Sequence, residues 1–152
     1  MEKVYFEDYQ EGEVFVSPCR TITETDIVMF AAFTGDWHLL HTNVEYAAKT
    51  SYKERIAHGA LGFSIGLSLP RRLGPYVMLP KSFIAFYGVE NLRFIGPIKI
   101  GDTILTEIRV NSLIEKDNKR GILEYEGIVK NQRDEAVVSM VLRALVGRKP
   151  KV

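Results

Sequence analysis

This 152-residue chain has little of what would sort it quickly into a class. Its one cysteine, Cys19, rules out an internal disulfide framework and points to a reduced compartment, with the thiol expected to be a small buried residue. It has no block of one charge sign. The 20 basic and 19 acidic residues nearly cancel and are interspersed, a pattern that offers no nucleic-acid or membrane surface. No window approaches the roughly eighteen uninterrupted apolar residues of a membrane span. The opening MEKVYFEDYQEGE is acidic and lacks the basic start and apolar run of a signal peptide. A cytoplasmic location is therefore expected. There is no internal repeat and no low-complexity linker, so residues 1–152 are expected to form a single domain with enough apolar material for a real core.

What is present divides into an earlier helical part and a later run of strands, an α+β pattern. Glu13 to Ser17 could form a short strand. In TITETDIVMFAAFTG, Thr23 stands as an N-cap and Asp26 as the capping carboxylate. Ile27, Phe30 and Ala31 share one helical face, and Gly35 ends the run. The following GDWHLLH is then a loop, and Asn43 caps a second short helix, VEYAAK. The segment AHGALGFSIGLSLPRRLG fits two templates. Alternating small and bulky residues suit a strand, whereas Gly62 and Gly66 beside Leu61, Ile65 and Leu69 suit a helix pressed closely onto a sheet. From Phe83 onward the period is two: Ile104, Thr106, Ile108 and Val110 face one way, and Thr103, Glu107, Arg109 and Asn111 the other. KDNKRG and NQRDE are short enough to be hairpin turns into ILEYEGIVK and AVVSMVLRALV, and the basic tail GRKPKV is expected to fray.

The candidate chemistry lies between Gly35 and Gly59. This window holds Asp36, the only tryptophan (Trp37) and all three histidines, His38, His41 and His58. A carboxylate and an imidazole with four residues between them can converge on one water molecule, one holding it while the other moves a proton. Leu39 and Leu40 would wall such a site and raise the basicity of a partly desolvated Asp36. Asp36, His38 and His41 are also acceptable metal ligands, but there is no HExxH pattern and no cysteine nearby, so no metal is expected. A covalent nucleophile has even less support. Cys19 lies outside the window, no GxSxG occurs, and Ser64 has no base beside it in sequence.

FTGDWHLLH, then EYAAKT, then RIAHGALGFS, together with the downstream FIGPIKIGDTI, resemble the MaoC-like dehydratases and (R)-specific enoyl-CoA hydratases. The signature of that family runs S/T-G-D-x-N-P-L-H, with a helix-opening H-G further on. The resemblance covers roughly residues 20 to 105 and implies a hot-dog fold, an antiparallel sheet wrapped around a long central helix that would begin near Gly59. It implies reversible syn addition of water to a trans-2-enoyl thioester, with an acyl-CoA substrate, no cofactor, and a homodimer or dimer of dimers. By position, Asp36 and His41 become the catalytic pair, and the Gly59 N–H the donor to the thioester oxygen. His38, Trp37, His58, Ser64 and Leu67 become substrate-pocket candidates, and Lys49, Lys53, Arg93 and Lys99 are available for CoA phosphates. The chain departs from the signature where Asn-Pro is replaced by His38-Leu39, which makes His38 a substitute for an amide that would help position the water or the aspartate. The alternatives are a hot-dog acyl-CoA thioesterase and a non-catalytic acyl-thioester binding module.

Overall fold

The computed structural model describes residues 2–151. After a single 3-10 turn, Phe6–Asp8, come two short strands, β1 (Val14–Val16) and β2 (Arg20–Thr21), and three helices, α1 (Glu24–Thr34), α2 (Leu39–Thr42) and α3 (Val44–Ala48). Next is α4 (Gly59–Ser68), prolonged by a 3-10 segment over Leu69–Leu73. Four long strands follow: β3 (Phe83–Phe94), β4 (Thr103–Glu115), β5 (Arg120–Lys130) and β6 (Ala136–Gly147). They pair antiparallel in the order β1-β4-β5-β6-β3, with β2 on the same side of β4 as an offshoot.

α1 begins where its sequence demands. The Thr23 hydroxyl accepts from the Asp26 N–H, and the Asp26 carboxylate accepts from the Thr23 N–H at 2.9 Å, so two otherwise orphaned donors are satisfied reciprocally. Gly35 ends the helix at φ 78°, a left-handed conformation that glycine adopts without strain. Ile27 and Ala31 are buried, and Phe30 packs against the core. On β4 the buried set is Ile104, Thr106, Ile108 and Val110, as the alternation requires.

The ambiguous segment is a helix, and its glycines explain why it can lie so close to the sheet. A Cβ at Gly62 would come within 2.6 Å of the Ile98 terminal methyl, and one at Gly66 would run into Val129. The Thr106 hydroxyl donates to the Gly66 carbonyl at 2.8 Å, pinning α4 to β4. Leu61 and Leu69 join Tyr125, Val129, Val138, Met140 and Leu142 in the core beneath it.

Several expectations change. The central helix is short, ten residues before it tightens to 3-10 geometry at the Pro70 segment. The expected strand within Glu13 to Ser17 forms as β1, and a second, β2, is added before the helices; it spans only two residues, too few to show a period. Cys19 is exposed, because it sits between Pro18 and Arg20 in the link from β1 to β2 rather than under the sheet. The tail does not fray at its start. Arg148 donates to Glu7 at 3.0 Å and to Glu115 at 2.8 Å, and the Lys149 N–H donates to Glu7 at 2.8 Å; Val152 lies outside the described residues.

Candidate active site

Sequence suggested a loop for the whole of GDWHLLH, but only Gly35 to His38 are irregular. His41 rides on the four-residue helix α2, whose start is closed by the His38 side chain: Nδ1 accepts from the Leu40 N–H at 3.1 Å. The His38 N–H in turn donates to the Asp36 carboxylate at 3.2 Å, and the Thr42 hydroxyl donates to the carbonyls of Trp37 and His38. The loop is therefore tied to the short helix at both of its ends.

Two backbone carbonyls fix the imidazoles. A carbonyl only accepts, so the 2.8 Å contact between His41 Nδ1 and the Ile56 oxygen puts the proton on Nδ1 and leaves Nε2 as a bare acceptor in the neutral ring. By the same logic His58 Nε2 donates to the Asp36 carbonyl at 2.9 Å, leaving its Nδ1 buried with no partner. The His41 and His58 rings stack with centroids 3.9 Å apart and planes inclined by 28°, and Phe30 covers the His58 ring at 4.9 Å. Burial pushes the His41 imidazole below its ordinary value; the Ile56 bond opposes that, while the neighbouring His58 adds to it.

Asp36, His41 and His58 each bring one ligand-capable atom within 4.8 Å of the others. An ion bound to both imidazoles must lie in both ring planes, and planes so nearly parallel do not meet where that ion would sit. Stacking therefore argues against one ion held by both imidazoles.

His58 is the N-cap of α4, yet its side chain makes no cap bond because it is turned toward Asp36. The helix start is thus left uncapped, with amides and the positive end of the dipole available to an oxygen. Beside it lies a hollow of about 320 Å³ lined by Tyr52, Ile56, Ala57, His58, Gly59 and the 94–98 segment, together with Val137 and Val138. Those two walls are stitched together by the Ala57 N–H to Ile98 carbonyl bond at 2.7 Å. The residue that sequence reasoning missed is Phe94. A Cβ on Gly59 would stand 2.9 Å from its ring carbons, so the aromatic face lies directly over the helix start. The only available sign of this was the FIGP segment that opens with it.

The remaining candidates scatter. Trp37 is 52% exposed and Leu39 47%, and Asp36 is exposed too, so the expected apolar walls do not close around the carboxylate within one chain. The leucines lie on an α2 that buries none of its residues. Ser64, which donates to the Ala60 carbonyl, lines a different hollow with Arg20, Ser68 and Arg72, and Leu67 is partly buried against the core. Lys53, Arg93 and Lys99 each adjoin a residue of the first hollow, with Lys99 drawn toward Glu54 at 3.6 Å; Lys49 does not.

This fold and constellation define a hot-dog protein of the dehydratase type. Residues 8–131 match the model of the MaoC like domain, and the chain belongs to that family. It is 43% identical over 100 residues to protein MaoC of Klebsiella aerogenes, covering 66% of this chain but only 28% of that protein. It is 38% identical over 112 residues to an (R)-specific enoyl-CoA hydratase of Rhodospirillum rubrum, 72% of each chain. Against a 3-hydroxybutyryl-CoA dehydratase of Methylorubrum extorquens it is 30% identical, covering 95% of each. Among solved structures, one described as a monoamine oxidase regulatory protein from Archaeoglobus superposes with a TM-score of 0.92 at 41% identity, over 99% of this chain and 98% of that one. A Mycobacterium tuberculosis protein with a double hot-dog fold superposes at 0.75 and 21% identity over 99% of this chain and 46% of that one, a likeness of fold alone.

Proposed function

We propose that the protein is an (R)-specific enoyl-CoA hydratase, running equally as a 3-hydroxyacyl-CoA dehydratase, with Asp36 and His41 as its acid–base pair. The observation that carries this is the convergence of the Asp36 and His41 ligand atoms within 4.8 Å, with the His41 proton already committed to the Ile56 carbonyl. In the hydration direction the pair binds one water. A proton leaves that water, its oxygen bonds to the β-carbon, and a proton is delivered to the α-carbon on the same face. The thioester oxygen carries the transient enolate charge beside the uncapped amide of Gly59, at the start of α4. The depressed basicity of His41 keeps the ring unprotonated near neutral pH and ready to accept. Tyr52, Phe94 and Ile98 would border the thioester, and the rest of the substrate would lie toward Lys53, Arg93 and Lys99.

A homodimer belongs to the same reading. β3 is the edge of the sheet and exposes Ile84, Phe86, Tyr87 and Phe94, an apolar edge that a second copy would cover. Such a partner would also supply the walls that Asp36 and Trp37 lack in a single chain.

Purified protein given crotonyl-CoA and a medium-chain enoyl-CoA is expected to consume the enoyl absorbance and leave the thioester intact. Asp36→Asn and His41→Ala should each lower kcat by about 10²–10⁴-fold. Release of free thiol would instead identify a thioesterase. Equal, slow turnover by all three proteins would leave the binding-module reading standing.

A further inference from the structure

The distinguishing residue of this site is His38, and the geometry points to a role for it that the reaction does not require of its chemistry. We infer that His38 is a positioning residue: its Nδ1 caps the four-residue helix α2 and so fixes where His41 stands. A helix that short offers almost no internal hydrogen bonding, so its persistence depends on what closes its ends. α2 has no buried residue to hold it by packing. Beyond the bond from His41 Nδ1 to the Ile56 carbonyl and the stack of His41 on His58, what it has is local. His38 Nδ1 accepts from the Leu40 N–H at 3.1 Å, the His41 N–H donates to the His38 carbonyl at 3.0 Å, and the Thr42 hydroxyl returns to the His38 carbonyl at 3.1 Å. The ring that carries the capping nitrogen is itself braced. Tyr46 on α3 meets it edge-on, with centroids 5.9 Å apart and planes at 83°, and the Tyr46 N–H is held by Asn43, the residue that ends α2 and begins α3.

The same residue bears on Asp36. The His38 N–H is the donor to its carboxylate, so the turn that aims the cap also aims the acid. His38 thus acts on both members of the pair through backbone geometry while its own ring remains exposed, 6.2 Å from the His41 ring. This inference rests on His41 being catalytic, so the test includes a measurement that does not depend on turnover.

Three substitutions separate a cap from a packing surface. His38→Asn keeps a short side-chain acceptor at the N-cap, His38→Phe keeps the aromatic face toward Tyr46 but has no acceptor, and His38→Ala has neither. The loss of a cap, about 1 kcal/mol, corresponds to roughly a fivefold effect. His38→Ala and His38→Phe are expected to lower kcat at least that much with KM nearly unchanged, and His38→Asn to recover most of the loss. Independently, amide hydrogen exchange at Leu40 should quicken about fivefold in the Ala and Phe variants and stay slow in Asn. If Phe retains kcat and slow Leu40 exchange while Asn does not, the role is packing and the inference is overturned; unaltered Leu40 exchange in all three overturns it as well. Leu40 exchange that follows the acceptor in a protein inert toward every enoyl thioester would uphold the cap and refute the hydratase reading alone.

Discussion

Two helices start at a histidine in this protein, and the two starts differ in what the imidazole does. His38 at φ −54°, ψ 138° and His58 at φ −59°, ψ 139° share one backbone conformation. His38 turns its ring back and closes α2, whereas His58 turns away, donates to the Asp36 carbonyl, and leaves α4 open. Packing explains why both are tolerated. α4 is held from below by Leu61, Gly62 and Gly66 against the sheet, so its first amides can remain unpaired without the helix unravelling. α2 buries no residue, and beyond what His41 makes with Ile56 and His58 its start depends on a cap. On the proposed mechanism, the open end lies where a developing negative charge would be met, and the closed end where the base would be held still.

The strongest way to break this contrast is to remove the open donor. His58 has the extended backbone that favours a following proline, and the first helical position accepts one because its N–H makes no intrahelical bond. Phe94 would collide with the ring of that proline, so the substitution belongs in a Phe94→Ala background. Relative to Phe94→Ala alone, Gly59→Pro is expected to lower kcat on crotonyl-CoA by about 10²–10³-fold with an unchanged thermal midpoint. An unchanged kcat would mean that the Gly59 amide does not receive the charge.

The next test asks whether packing is what lets α4 stay open. Gly66→Ala drives a methyl into Val129, a β-branched side chain with few alternative rotamers, and should destabilise by about 1–3 kcal/mol in urea unfolding. Gly62→Ala clashes only with the terminal methyl of Ile98, which can swing aside, and should cost less. If the order reverses, the helix is held by something other than the Gly66 contact.

How much of this could be read from the chain depends on the distance over which each interaction acts. The box at Thr23 and Asp26, the left-handed Gly35, and the strands with their turns at 116–119 and 131–135 are local, and each follows from residues within a few positions of one another. The window holding Asp36, His41, His58 and Gly59 was legible as a cluster of residue types. Its geometry was not. The His58 to Asp36 carbonyl bond spans 22 residues and involves a backbone oxygen that no side-chain motif encodes. Phe94 over Gly59, the Ile56 carbonyl on His41, and the exposure of Cys19 likewise arise from where distant segments come to rest. The capping use of His38 was only half visible, since sequence marks the departure from the family signature without saying which ring nitrogen would be engaged or by what donor.

The smallest effect concerns the third helix start, α1, which is closed by a sequence-local pair rather than by a histidine. Burial pushes the Asp26 carboxyl up, but the Thr23 N–H and hydroxyl and the Arg20 guanidinium outweigh it and hold the group below its usual range. A carboxylate depressed on folding contributes stability that is present above its unfolded value, about 3.9, and is lost as pH falls through the folded one. Thr23→Ala removes the acceptor for the Asp26 N–H and one donor to the carboxylate, and should cost about 1 kcal/mol at neutral pH. The part that depends on ionised Asp26 should fade in acid, so the gap between wild type and Thr23→Ala narrows below about pH 4 in urea unfolding. A gap that stays constant across that range would show that the hydroxyl serves the backbone alone. α1 would then be closed much as α2 is, by a single neutral acceptor, and charge would play no part in holding any of the three starts.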